Sequence, residues 1–332
     1  MLQNTKDRMK EITDSLEQGI RDVFESGKYE TYLKTMSRFH SYSMNNTMLI
    51  YMQKPDATLV AGYHGWQQKF NRNVLKGEKG IQILAPAPIR KTVTMDVFDE
   101  HMRPVLDPDG NQVRKTEQIT IPAFKPVTVF DVSQTEGEPL PELVQTLNGS
   151  VENYDNFLQA LHRVSQAPIS FKELPSNLDG FFNLKDKTIT IRDGMSEAQT
   201  VCAIVHEVTH SRLHDKKAEN PEDRKDSRTM EVEAESVAFA VCANYGIETG
   251  ENSFGYIASW SKDKELPELK KSLETITRTA SELITDIERE RSALEKERSH
   301  SMDATSITER LIACKTLSSG QDHYSPGKEA CL

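Results

Sequence analysis

The residues best suited to chemistry lie in one short stretch, His206-Glu-Val-Thr-His210. Two histidines four positions apart lie on one face of an α-helix, close enough for both imidazoles to bind one metal ion. Glu207 points toward the same side, where it can take a proton from water activated by the ion. The alternative interpretation is a charged helix with two surface histidines, because so short a pattern also arises by chance.

A second acidic stretch downstream offers a third ligand. A catalytic zinc site needs three protein ligands and leaves the fourth position for water. Glu231 and Glu235 lie one turn apart before the apolar run 237–242, which predicts a second, packed helix. We predict that Glu231 binds the ion and that Glu235 accepts a hydrogen bond from a ligand imidazole and fixes its tautomer. The alternative is a solvent-exposed acidic face, because Glu233 lies between them.

His214 continues the four-residue repeat but is not expected to bind the same ion. At a rise of ~1.5 Å per residue, His206 and His214 lie about 12 Å apart along one helix. We expect His214 to support the site from outside the ligand set or to be structural. Two histidines and a carboxylate suit Zn²⁺, although Mn²⁺ or another divalent ion would accept the same donors.

Local patterns predict the elements that position this site. Ser196 with Gln199 three residues later forms a capping box, so the metal helix is expected to begin there. Two strands are predicted before it, at 169–171 and 188–192, around a turn at 178–183.

The first part of the chain has a different pattern. Amphipathic helices are predicted over residues 6–24, 28–38 and 44–53. Beyond Pro55, short β-branched runs predict a mostly antiparallel sheet that includes a long hairpin with its tip at residues 109–111.

Composition limits the classes of function. The chain has 332 residues and a net charge of −10, which argues against a uniformly basic nucleic-acid-binding surface. We see no export leader and no apolar run of about 18 residues, so we expect neither secretion nor a membrane partner. The four cysteines show no C-x-x-C spacing, and we expect a reduced, cytoplasmic protein.

Residues 36–130 nevertheless carry twelve basic and eight acidic side chains, a local balance of +4. Aromatic and basic residues alternate between positions 63 and 79, as in proteins that stack unpaired bases beside phosphate-binding cations. Single-stranded DNA is therefore one candidate partner. The alternative is that Trp66 and Phe70, one turn apart, are simply core. The candidate DNA-binding residues in this stretch are Trp66, Lys69, Arg72, Lys76 and Lys79.

Ordered motifs occupy residues 42–50, 53–55, 60–62, 66, 74–81 and 129–137. Together they resemble the N-terminal domain of ArdC-type antirestriction proteins, and the resemblance extends over roughly residues 8–290. It implies a single-stranded-DNA-binding domain fused to a zincin-like domain similar to the ImmA/IrrE peptidases. Such proteins are carried on plasmids and conjugative elements and are thought to shield incoming DNA from host restriction.

The resemblance also implies roles for individual residues. Tyr42, Asn46, Trp66, Lys76 and Lys79 fall on motif positions of the DNA-binding domain. His206, Glu207, His210 and Glu231 fall on the expected metal and base positions.

The predicted fold class is α+β. N-terminal helices and an antiparallel sheet occupy residues 1–140, and a zincin-like α+β metallopeptidase domain with a C-terminal helix occupies 141–298. Apolar residues spaced three and four apart from Leu266 to Leu294 predict that this helix packs on its own domain, in preference to a dimeric coiled coil. Residues 299–332 are polar and irregular, typical of a flexible tail.

Three functions remain open from the sequence. The first is a DNA-binding antirestriction protein of a mobile element whose second domain retains hydrolytic potential. The second is a regulatory metallopeptidase whose N-terminal domain selects a protein or peptide substrate. The third is a DNA-binding protein in which the metal is purely structural.

Overall fold

The computed structural model describes residues 2–25, 28–140, 151–215, 225–247, 254 and 257–318. The chain forms two compact units, Met1–Thr146 with Ala218–Ser281, and Leu147–Lys217 with Glu282–Leu332. Helices and sheets are mixed in both units, so the predicted α+β class with a C-terminal helix is confirmed. The predicted domain boundaries stay a prediction.

The helices predicted at the start of the first unit are present. They are α1 (Leu2–Glu25), α2 (Tyr29–Arg38) and α3 (Met44–Gln53). Ser43 caps α3, because its hydroxyl accepts a hydrogen bond from the backbone N–H of Asn46 at 3.4 Å. The apolar faces of these helices lie in the hydrophobic core, where Tyr32 and Met48 are fully buried.

A small antiparallel sheet follows these helices. Its strands are β1 (Val60–Gly62), β3 (Ile81–Pro86) and β6 (Phe124–Asp131), in the order β1-β6-β3. A short pair, β2 (Arg72–Val74) with β7 (Thr135–Gly137), lies in the same unit, as does helix α4 (Tyr63–Phe70). Inward-facing side chains of the sheet, including Val60, Ile81 and Val129, pack on Phe39 and Ile50 of the helical layer.

The predicted long hairpin is present. Strands β4 (Ile89–Asp96) and β5 (Arg114–Ile121) pair antiparallel, with Ile89 opposite Ile121 at the base and Asp96 opposite Arg114 at the far end. Asp107 organises the tip, because its carboxylate accepts hydrogen bonds from the backbone N–H groups of Asp109 and Asn111.

The first unit also contains the second predicted ligand helix. This is α7 (Ser227–Asn244), and it packs against α2. The short helix α8 (Ile257–Ser261) and the first part of α9 (Leu266–Ser318) complete this unit. Tyr29 of α2 and Ser236 of α7 share a buried hydrogen bond of 2.8 Å between their hydroxyls. Burial raises the pKa of Tyr29.

The second unit surrounds the predicted metal helix. Its elements are α5 (Val151–Val164), β8 (Ile169–Lys172), β9 (Gly180–Asn183), β10 (Thr188–Arg192), α6 (Glu197–Leu213) and the remainder of α9. The sheet order is β8-β10-β9, with β8 parallel and β9 antiparallel to β10. Helix α6 packs on β9, β10 and α5.

One local prediction in this unit is wrong. Residues 178–183 were expected to form a turn, but Gly180–Asn183 are strand β9. The turn follows this strand directly. The side chain of Asn183 accepts hydrogen bonds there from the backbone N–H groups of Lys185 and Asp186. Lys187 ends the turn with a left-handed φ of 54°.

Helix α9 continues to Ser318, beyond residue 299 where a flexible tail was expected to begin. The sequence contains neither glycine nor proline between Pro267 and Ser318, so nothing in it breaks the helix. Residues 319–332 of the expected tail lie outside the described residues. Within the part of the chain that is described, no helix is both long and apolar enough to cross a membrane.

Candidate metal centre

Helix α6 begins where the sequence predicted. The hydroxyl of Ser196 accepts a hydrogen bond from the backbone N–H of Gln199 at 3.3 Å, and the Gln199 side chain accepts one from the backbone N–H of Ser196 at 3.2 Å. This capping box satisfies two backbone donors at the helix start. Val201, Ile204, Val205 and Val208 are buried, so one face of the helix is fixed in the core of its unit.

The two histidines of the motif face each other on this helix. Their Nε2 atoms lie 3.0 Å apart, and their ring centroids 4.7 Å apart. Two nitrogens bound tetrahedrally to one zinc ion at ~2.0–2.1 Å would lie about 3.3 Å apart. The rings of His206 and His210 are therefore spaced as two ligands of one ion require.

Glu231 supplies the third donor of the group. His206, His210 and Glu231 each offer one ligand atom, and these atoms all lie within 4.8 Å of one another. Glu231 is exposed, and the two histidines are half-buried. Two imidazole nitrogens and one carboxylate oxygen are a donor set that borderline divalent ions such as Zn²⁺ or Mn²⁺ accept. The donor types therefore fit the predicted metal ligands, and the binding of an ion by these three residues stays a prediction.

Glu207, the predicted base, is a buried carboxylate next to the ligand pair, with a relative exposure of 8%. Strand β9 lies close against it at Gly180, where an added Cβ would come within 3.3 Å of the Glu207 Cγ and 2.9 Å of Ile191. The absence of a side chain at position 180 thus leaves room for the Glu207 side chain.

His214 lies on the other edge of the His210 ring. The Nδ1 atoms of these two residues are 2.9 Å apart, whereas the Nε2 of His210 faces His206. His214 caps the C-terminal end of α6, and its backbone N–H donates to the carbonyl of His210 at 2.8 Å. This geometry places His214 beside a candidate ligand and away from the shared ion position.

Helix α7 is held by polar contacts at its start. The carboxylate of Asp226 accepts hydrogen bonds from the Thr229 backbone N–H at 2.8 Å and from Lys264 at 2.7 Å. Trp260 donates to the Thr229 hydroxyl at 3.1 Å. Partial burial raises the pKa of Asp226, but the hydrogen bonds from Lys264 and Thr229 outweigh this effect and lower it to about 2.

The structural role of Glu233 was not predicted from the sequence. This residue is completely buried, and Lys225 donates to both of its carboxylate oxygens at 2.7 and 2.6 Å. Ser272 of α9 donates to the same carboxylate at 3.2 Å. The apolar neighbours of Glu233, which are Val232, Ala234 and Val237, are the sequence signal that this acid is not on a solvent-exposed face. Glu235 is half-buried, and its predicted hydrogen bond to a ligand imidazole stays a prediction.

The candidate DNA-binding residues divide into two groups. Four of them make structural contacts. Trp66 is fully buried and donates to the Phe130 carbonyl at 2.9 Å. Asn46 donates to the carbonyl of Leu84 and accepts from its N–H, at 2.9 and 2.8 Å.

Arg72 and Tyr42 complete this first group. Arg72 of β2 donates to the hydroxyl and the carbonyl of Thr135 in β7, at 2.8 and 2.9 Å. Tyr42 is half-buried against Phe39, with ring centroids 5.9 Å apart, and burial raises its pKa. These four residues organise the unit whether or not they also contact DNA.

The second group consists of Lys69, Lys76 and Lys79. All three side chains are exposed. Exposed ammonium groups are available to phosphate oxygens. Their predicted role in DNA binding stays a prediction.

The N-terminal part of the chain matches a known family model. Residues 3–130 match the model of the N-terminal domain of anti-restriction factor ArdC. An uncharacterized protein of Bacillus anthracis, pXO2-81, is 28% identical over 320 residues, covering 88% of this chain and 53% of that protein. The chain thus spans about half the length of this curated relative.

Two crystal structures of the antirestriction ArdC protein from plasmid R388 are also similar. The metal-free structure is 21% identical with a TM-score of 0.46, covering 76% of this chain and 86% of its own. The Mn(II)-bound structure is 19% identical with a TM-score of 0.45, covering 75% and 85%. The resemblance predicted for the N-terminal residues is confirmed by the family match, and the predicted likeness of the later residues to ImmA/IrrE peptidases stays a prediction.

Proposed function

We propose, from the match of residues 3–130 to the N-terminal domain of anti-restriction factor ArdC, that this chain is an antirestriction-type protein of mobile DNA. Its N-terminal region binds single-stranded DNA, and the group of His206, His210 and Glu231 holds a divalent cation for hydrolysis. The observation that carries the hydrolytic half is the convergence of those three ligand atoms within 4.8 Å.

The chemistry follows from the donors and from Glu207. When bound, a divalent cation lowers the pKa of water to near 7 and polarises a peptide carbonyl. His206, His210 and Glu231 would hold that cation through two imidazole nitrogens and one carboxylate oxygen. Glu207, a buried carboxylate next to His206 in the chain, accepts the proton of the attacking water.

Metal analysis and peptidase assays test this half. The purified protein is expected to contain about one divalent ion per chain, with His206→Ala losing the ion and Glu207→Gln retaining it. Peptide cleavage is expected in the wild type and absent in Glu207→Gln, because the amide cannot accept the proton. Equal metal-dependent cleavage by the wild type and Glu207→Gln would remove Glu207 from the mechanism.

The DNA-binding half is supported by the basic balance of residues 36–130 and by the exposed Lys69, Lys76 and Lys79. A mobility-shift assay with a labelled oligonucleotide tests it directly. We expect tighter binding to the single strand than to the matching duplex, weakening as salt rises. Equal affinity for the two forms would reject this half of the proposal.

One observation favours a second candidate function. Trp66, Asn46 and Arg72 are engaged in structural hydrogen bonds, which leaves fewer of the candidate side chains for contacts with DNA. A regulatory metallopeptidase that uses its N-terminal unit to select a protein substrate fits this pattern. It predicts metal-dependent cleavage of a protein with no single-strand preference, so the same two assays separate the two functions.

A further inference from the structure

We propose that His214 is a positioning residue of the metal centre, which holds the His210 ring in the tautomer and orientation that metal binding needs. The inference deepens the proposed function and rests on its metal-binding half. It is carried by the 2.9 Å contact between the Nδ1 atoms of His210 and His214.

The direction of that hydrogen bond follows from the ligand geometry. The Nε2 of His210 faces the Nε2 of His206 at 3.0 Å, so Nε2 is the atom that His210 offers to the ion. A neutral imidazole that binds a metal through Nε2 carries its proton on Nδ1. His210 therefore donates from Nδ1, and the Nδ1 of His214 accepts.

This arrangement is a variant of a general device. A metal-binding histidine almost always donates its other ring N–H to a carboxylate, a backbone carbonyl or water, which fixes the ring orientation. Here the acceptor is a second imidazole four residues further on, on the residue that caps the C-terminal end of α6. Because the helix backbone holds both residues, the acceptor is in place before any ion arrives.

The contact also explains the third histidine of the repeat. His206, His210 and His214 recur every four residues, but the first pair meets through Nε2 atoms and the second pair through Nδ1 atoms. The two edges of the His210 ring thus serve two different partners. His214 acts on the ion through His210, and it is not a ligand of the same ion.

Two substitutions test the proposal. His214→Leu removes the acceptor and keeps an apolar side chain of moderate size, whereas His214→Asn keeps an oxygen acceptor near the Nδ1 position. Loss of such an outer partner typically weakens metal affinity by ~10–100-fold. We expect this loss for His214→Leu, measured by competitive titration with Zn²⁺ and Mn²⁺, and substantial recovery for His214→Asn.

A spectroscopic measurement on the metal-free protein separates positioning from simple stabilisation. Long-range ¹H–¹⁵N correlation spectra of histidine-labelled protein report which ring nitrogen carries the proton. We expect the Nδ1–H form of His210 in the wild type and in His214→Asn, and a shift toward the Nε2–H form in His214→Leu. A merely structural role would change the unfolding temperature without moving this tautomer.

Two results would overturn the inference. One is an unchanged His210 tautomer and unchanged metal affinity in His214→Leu. The other is a loss of affinity as large as that of His206→Ala with no recovery in His214→Asn, which would make His214 a ligand. If the wild type binds no metal, the proposed function fails, but the tautomer measurement still decides whether His214 holds His210.

Discussion

Replacing Lys225 with methionine should destabilise the unit that contains α7 by leaving the carboxylate of Glu233 without its cationic partner. Glu233 is completely buried, and its two oxygens accept hydrogen bonds from Lys225 at 2.7 and 2.6 Å. In the variant the Ser272 hydroxyl, at 3.2 Å, still donates to this carboxylate, but the ammonium group is lost. A buried carboxylate that has lost its ion-pair partner is far less stable than a paired one.

The magnitude follows from the burial of the two partners. Removing one partner of a buried ion pair costs about 3–5 kcal/mol in general. The Lys225 side chain is 28% exposed and Ser272 stays in place, so we expect about 2–3 kcal/mol for Lys225→Met. Glu233→Gln should cost less, about 1–2 kcal/mol, because the amide keeps the shape and Lys225 can turn toward water.

Urea unfolding of the metal-free protein, followed by far-ultraviolet circular dichroism, measures these free energies of unfolding. Lys270→Met is a matched control, because Lys270 is an exposed lysine of α9 and its loss should change stability by less than about 0.5 kcal/mol. The double variant Lys225→Met with Glu233→Gln should lose less than the two single variants together. If Lys225→Met were as stable as Lys270→Met, the ion pair would not anchor α7 and the reasoning would be refuted.

Three further predictions concern other parts of the chain. Replacing Lys76 and Lys79 with alanine should weaken single-strand binding with little change in stability. The slope of log affinity against log salt concentration should fall by about 0.7 for each lost phosphate contact. An unchanged slope would show that neither lysine contacts a phosphate. Trp66→Phe should lower the free energy of unfolding by about 1–3 kcal/mol, because the Phe130 carbonyl loses its donor. Equal free energies of unfolding for Trp66→Phe and the wild type, measured by urea denaturation, would contradict this. The pKa of Asp226 is lowered to about 2 in the folded protein, so its stabilising effect is complete above about pH 4 and is lost as the pH falls toward 2. The free energies of unfolding of the wild type and Asp226→Asn should therefore converge at low pH. A constant difference between these two free energies from pH 6 to pH 2 would refute that role.

Features set by neighbouring residues were predictable from the sequence. The capping box at Ser196 and Gln199 fixed the start of α6, and the His-Glu-x-x-His spacing placed two imidazoles on one helix face. The amphipathic helices and the long β4–β5 hairpin followed from short-range periodicity and turn residues. In each case the interacting groups lie within a few residues or across one turn.

Features set by distant partners were not predictable. Trp66 donates to a carbonyl 64 residues away, and Asn46 binds the backbone of a residue 38 positions away, so their structural roles had no local signal. The burial of Glu233 was only partly predictable: the apolar run predicted a packed helix, but the donor Ser272 lies 39 residues downstream. Strand β9 was mistaken for a turn because its pairing with β10, rather than its own short sequence, makes it a strand.

The most direct test of the central claim is an equilibrium metal titration of the wild type beside Glu231→Gln, His206→Ala and Glu207→Gln. If His206, His210 and Glu231 share one ion, the wild type and Glu207→Gln bind one divalent cation per chain with similar affinity. Glu231→Gln and His206→Ala then lose at least about tenfold to a hundredfold in affinity, since each removes a bond to the ion itself. Wild-type affinity in Glu231→Gln would contradict the account.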